Sequence, residues 1–158
     1  MINPKQFEQF VIAPACQFLE MDSPSARALM LGTAAQESGL GTYLHQVGGG
    51  PAKGVFQMEP NTYNDIWDNF LKYHPEITQR LARRYPIRPP PEAMITDLFL
   101  AAVMCRLHYR RVKVALPAPD DIPGLAAYWN NNYNCNPNAG TDAEFIRNWH
   151  RCVEGGKA

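Results

Sequence analysis

The chain has 158 residues, 46% of them hydrophobic and 19% charged, with a formal net charge of zero. That size and apolar content suit one folded domain over residues 1–158 and exclude a largely disordered chain. A neutral chain is a poor match for nucleic acid, whose many phosphates call for an excess of Lys and Arg. No apolar run reaches the ~20 residues that span a bilayer, so no stable membrane insertion is expected.

The N-terminal stretch "MINPKQFEQFVIAPACQFLE" is broken by polar residues and proline, unlike a secretory signal, so export would need another route. Asn3-Pro4 is a helix start: a capping side chain, then proline in the first turn. Phe7, Phe10, Val11, Ala15, Phe18 and Leu19 follow at helical spacing. Ser23-Pro24 repeats the start signal. The helix after it is apolar on most sides, which predicts a buried central helix ending near Glu37-Ser38-Gly39. The glycine-rich segment that follows predicts an ordered loop or a short β-hairpin, Tyr43–Val47 against Gly54–Gln57.

Pro60 and Pro75 open two further predicted helices, the second with Arg80, Arg83 and Arg84 on a solvated face. "PIRPPPE" reads as a stiff extended spacer within the domain. The longest helix is predicted from Pro91 to Val114, with a basic end "RLHYRRVK" that suits the negative pole of a helix. A short helix over Leu125–Asn132, a turn-rich loop "YNCNPNAGT", and a last helix behind the capping box of Thr141 and Glu144 complete the chain. The fold class is all-α, α+β at most.

Glu37 is the candidate reactive group. A carboxyl at the end of a buried helix loses solvation and faces the negative helix pole, and both raise its pKa toward the range of a general acid at neutral pH. The glycines beyond it allow close approach of a bulky ligand. Gln57, Tyr128 and Asn130 could hydrogen-bond a sugar, and Tyr43, Tyr63, Trp129 and Tyr133 offer ring faces for sugar rings.

Three phrases carry a resemblance. "QESG" (Gln36 to Gly39), "GVFQMEPNT" (Gly54 to Thr62) and "LAAYWNNNYN" (Leu125 to Asn134) occur in order. Together they resemble the motifs of the lysozyme-like lytic transglycosylases, the group that includes goose-type lysozyme and phage muralytic proteins. The resemblance spans residues 25 to 150. It implies a lysozyme-like helical fold and cleavage of the β-1,4 bond between N-acetylmuramic acid and N-acetylglucosamine in peptidoglycan strands. It implies Glu37 as the acid, Ser38 positioning Glu37 or touching the sugar, Gln57 and Met58 lining the cleft, and Tyr128 near the acid. The third phrase departs from the family's Tyr-Asn-Ala-Gly, so either Asn130 or a later Asn takes the Asn role. No cofactor or metal is called for.

A glycosidase that hydrolyses usually employs two carboxyls. Glu59 is the best placed second one; Asp65, Asp120, Asp121 and Asp142 have no motif of their own. With no second carboxylate, Glu37 would act first as acid and then as base for the sugar's own 6-hydroxyl, a lytic transglycosylation. The other classes are a hydrolytic lysozyme, a non-catalytic glycan-binding or structural virion module, and a Cys-His hydrolase built from Cys105 with His108 or Cys135 with His45. Cys16, Cys105, Cys135 and Cys152 show no CxxC pair; Cys16 and Cys105 read as core residues, and Cys135 could pair with Cys152 in an oxidising place. A weaker metal reading joins Cys105, His108, His150 and Cys152. A wall-cleaving enzyme with no signal peptide points to a phage protein, in the virion or released to the periplasm, with virion or secretion-apparatus proteins as partners.

Overall fold

The computed structural model describes residues 1–134, 136 and 138–155. The fold is all-α. The first helical rod runs through α1 (Pro4–Phe7), a π-helical turn (Glu8–Ile12) and α2 (Ala13–Phe18). Its wide turn sits where Pro14 has no N–H for the helix ladder, and Ala13 N–H reaches back five residues to Glu8 O. Asn3 caps the rod through its side chain, which accepts from Gln6 N–H.

Ser23 caps α3 (Pro24–Ser38), and Gly39, at φ +57°, turns the chain out of it in the left-handed conformation that glycine accepts without strain. α4 (Pro60–Asp65) runs on through a second π-helical turn (Ile66–Phe70) and a 3-10 turn (Leu71–Tyr73) to α5 (Pro75–Arg84). A 3-10 turn (Pro91–Ile95) precedes α6 (Leu98–Arg110), followed by α7 (Ile122–Asn132) and α8 (Asp142–Cys152). α8 carries the reciprocal capping box of Thr141 and Glu144.

α3 is the buried centre, packed against α2, α6, α7 and α8. One apolar cluster extends from Phe7 in the first rod to Cys152 in the last helix. Its buried polar group Thr33 is satisfied twice, donating to Leu29 O at 2.8 Å and pairing with the Tyr109 hydroxyl at 2.7 Å. Gly32 is the close-approach point between α3 and α8: a Cβ there would overlap the Phe145 ring and come within 3.2 Å of Trp149. Gly32→Ala gains ~1 kcal/mol of helix propensity but overpacks a buried ring at about 1–3 kcal/mol. Chemical denaturation should therefore show a net loss of up to about 2 kcal/mol.

The sequence expectations need several corrections. The glycine-rich segment forms no hairpin and, among the described residues, no strand. It is an ordered loop with two isolated bridges, His45 to Lys53 and Lys53 to Met58. Its glycines at φ +86° (Gly48) and +82° (Gly49) turn the chain too early for a ladder to grow. The expected helix from Pro91 to Val114 is two pieces, because Asp97 leaves helical geometry (φ −103°, ψ 92°) to cap Leu100 N–H with its side chain. α7 starts earlier than Leu125, at Ile122, behind an Asp121 cap. Arg80 and Arg84 are not simply solvated: Arg80 donates to Leu19 O and pairs with Glu20, and Arg84 lies 4.0 Å over the Phe99 ring. The "PIRPPPE" spacer is pinned to α4 and the π-helical turn after it, by Tyr63 donating to Pro89 O and by Arg88 donating to Asn64 and to Asp68.

Candidate functional site

The site begins where α3 stops. Ser38, fully buried, is the hub of the turn beyond the helix. Its hydroxyl accepts from Gly41 N–H at 2.9 Å and donates to Val55 O at 2.6 Å, with Ala34 O also in reach at 3.1 Å. One side chain thus ties the end of α3 to both ends of the glycine-rich loop. Ser38 has no group left for a sugar and does not line the cleft.

The cleft that opens beside it has a volume of about 430 Å³. Glu37 lies in it with Gln36, Gln57, Met58, Glu59, His108, Trp129, Tyr133 and, before α8, Asn134, Asn136, Ala139 and Gly140. The Trp129 indole donates to Glu37 Oε1 at 2.8 Å, from a ring itself buried and packed on Phe145. Burial pushes the Glu37 carboxyl up from its ordinary value to about 7, while the Trp129 hydrogen bond pulls the other way. Desolvation wins, and a carboxyl half protonated at neutral pH results. The indole occupies Oε1, which leaves Oε2 to carry the proton of the neutral carboxyl.

Gln57 has a left-handed backbone (φ +47°), uncommon for a residue with a Cβ. Its Nε2 donates to Gly54 O at 2.9 Å and closes the turn, leaving Oε1 as the acceptor for a ligand. Met58 lines the cleft and is buried. Glu59 lines it too, exposed, in front of α4. Glu37 and Glu59 are the only carboxylates among the described lining residues. The other acids have structural partners: Asp65 pairs with Arg111 and Asn69, Asp121 caps α7, and Asp142 accepts from Asn130. Asp120 sits exposed in the loop before α7.

The third phrase is placed differently from the expectation. Tyr128 points away from the cleft; its hydroxyl donates to Val114 O at 2.8 Å, and it lines a smaller pocket with Arg106 and Arg110. Asn130 is also outside the cleft, donating to Asp142 and accepting from Asn134 Nδ2. The neighbour of Tyr128 takes the place beside the acid. One helical step of 100° decides which of Tyr128, Trp129 and Asn130 faces α3, and residue types do not fix that rotation. Tyr133 also lines the cleft and anchors the second phrase by donating to Phe56 O at 2.8 Å. His108, stacked edge-on against Tyr133, is pushed down to about 4 by burial and by Arg111, so it stays neutral at pH 7.

Of the other candidates, Cys105 is buried and its thiol is pushed well up, the reverse of what a nucleophile needs. Cys16, Cys105 and Cys152 are free and buried. Cys135 lies outside the described residues, and with it both the pairing to Cys152 and the grouping with His45. No cluster of three or more His, Cys, Asp or Glu among the described residues could hold a metal. No helix among them is long and apolar enough to cross a membrane. Compared with known protein families, with curated proteins and with solved structures, the chain matches none.

Trp129→Phe keeps the ring packing and removes the donor. With the one lowering influence gone, the Glu37 pKa rises, so the midpoint of the carboxyl's titration, followed by carbon NMR, moves to higher pH. A titration curve superimposable on wild type would show that the indole does not touch the carboxyl in solution.

Proposed function

We propose that this chain is a peptidoglycan glycosidase of lysozyme-like fold, acting on the β-1,4 bond between N-acetylmuramic acid and N-acetylglucosamine by lytic transglycosylation. The observation that carries the reading is Glu37: a desolvated carboxyl, titrating at about 7 and held by an indole, in a cleft large enough for sugar rings. The ordered phrases around Glu37, Gln57 and Tyr128 support it from the sequence side.

Glu37 Oε2 gives its proton to the glycosidic oxygen as the bond from C1 of the muramic acid breaks. The resulting carboxylate takes the proton of the same sugar's C6 hydroxyl, and O6 closes on C1. No water is consumed, Glu37 ends protonated as it began, and the product is a 1,6-anhydromuramic end. Ring closure within one sugar has a high effective molarity, so no second carboxylate is required. Gln57 Oε1 and the Met58 side chain supply the acceptor and the apolar wall for the sugar.

One observation favours a second reading: Glu59 lines the same cleft and could activate water in a hydrolytic lysozyme. A glycan-binding or structural virion module on this fold is the non-catalytic alternative. By the same reading the chain serves a phage virion, or reaches the wall alongside virion or secretion-apparatus proteins. Mass spectrometry of soluble products from purified peptidoglycan separates the three. Fragments lighter than hydrolytic muropeptides by one water are expected. Reducing ends would make the enzyme a muramidase, and an absence of fragments with retained binding would leave the module.

A further inference from the structure

We propose that Gln36 is a substrate-recognition residue, its carboxamide locked with the NH2 as the group offered to the cleft, where it donates to an acyl oxygen of the glycan. The inference rests on the glycan reading above and adds to it which substituent the cleft reads.

Gln36 lines the cleft one residue before Glu37. Its Oε1 accepts from Asn148 Nδ2 at 2.8 Å, and Asn148 Oδ1 accepts from Arg151 Nη2 at 2.9 Å. The direction of this chain is not free. A guanidinium only donates, so Asn148 must meet it with oxygen and must turn its NH2 to Gln36. Gln36 must then meet Asn148 with oxygen. Its own NH2 is left over, and among the described residues it has no acceptor.

The free amide nitrogen is also placed. A Cβ on Gly140 would lie 3.1 Å from Gln36 Nε2 and 2.9 Å from the Trp129 ring. The donor therefore stands against the same loop as the indole that holds Glu37, so a sugar presented to the acid passes it. The NH2 is open to the solvent of the cleft, so a ligand acceptor takes the place of water on it without a buried cost. Gln46, elsewhere in the lining, has the same polarity: Ala52 N–H occupies its Oε1 at 3.0 Å. Two glutamines thus present donors. Sugar hydroxyls can meet either polarity, whereas an acyl oxygen only accepts. The substituents with that character are the acetamido carbonyl and the lactyl carbonyl of peptidoglycan sugars.

Two variants test this on soluble, uncrosslinked glycan strands. Gln36→Met removes the donor with little change of volume. Asn148→Asp keeps the cleft's composition but reverses the chain: the new carboxylate accepts from Arg151 and from Gln36, so Gln36 flips and offers oxygen. Both should raise KM about tenfold while kcat stays within about threefold, the size of one lost hydrogen bond. Binding of chitin oligomers to Glu37→Gln, with and without each change, identifies the source. A loss there assigns the acetamido carbonyl; a loss only with muramic acid strands assigns the lactyl carbonyl. Wild-type KM in both variants, with melting temperatures showing them folded, overturns the inference, as does an effect confined to kcat. Failure of wild type to bind or cleave any glycan would instead remove the reading of the site, and this inference with it.

Discussion

On the proposed glycosidase reading, Glu37→Gln is expected to fold as wild type does and to lose glycan cleavage by about a thousandfold or more, within the span attributed to general acid catalysis. The substitution is nearly isosteric, and the amide oxygen still accepts from the Trp129 indole, so the site's geometry is kept. What disappears is the proton. Initial rates on glycan strands measure the loss, and retention of more than a tenth of wild-type rate would remove Glu37 from the chemistry. The same variant has a thermodynamic signature. The folded-state pKa of about 7 lies above the 4.5 of an ordinary glutamate, so the folded protein holds this proton more tightly than the unfolded chain does. Stability is then lost as pH rises from about 4.5 to about 7, and is level beyond. The shift corresponds to about 3 kcal/mol as an upper value. Glu37→Gln, which cannot ionise, should melt higher than wild type at pH 8 and close to it at pH 4. A difference that did not grow with pH would mean the carboxyl is well solvated.

Gly54→Ala should both destabilise the protein, by about 2–4 kcal/mol, and depress activity. Two costs coincide there. The backbone is left-handed at φ +77°, and a Cβ would collide with the Met94 carbonyl, whose carbon lies 3.0 Å from the Cβ position. A flexible side chain could move aside, but this obstacle is backbone, in the 3-10 turn that precedes α6. The damage is transmitted to the site because Gly54 O accepts from both Gln57 N–H (3.0 Å) and Gln57 Nε2 (2.9 Å). Displacing Gly54 releases the strained turn that presents Gln57. Urea denaturation gives the stability term, and KM on glycan strands the second. Wild-type values for both would show that the loop and the Met94 turn are not in contact in solution.

How much was legible beforehand follows from the range of the interactions involved. Helix starts were readable where the signal is local: Asn3-Pro4, Ser23-Pro24 and the Thr141–Glu144 box each act within one turn of backbone. Burial of α3 was readable because an apolar helix on most sides has only one place to go. Glu37 stood out for the same reason, as a carboxyl at the end of such a helix. Errors arose where a local signal had a rival. Asp97 could be a helix surface residue or a cap, and the packing of the 3-10 turn against α6 selects the cap.

The sequence by itself determined a mainly helical chain and the position of the acid at the end of the buried helix, with loop or short hairpin left open after it, since these depend on period, proline, glycine and neighbours a few residues away. Only the tertiary structure decided what surrounds the acid. Trp129 rather than Tyr128 reaches Glu37 across 92 positions of chain, and Asn148 orients Gln36 across 112. Tyr133 holds Phe56 across 77. These contacts depend on the rotation of α7 and α8 about their own axes against α3, where a single step of 100° exchanges one side chain for the next. That rotation is set by packing at such points as Gly32 under Phe145, and no window of a few residues contains it.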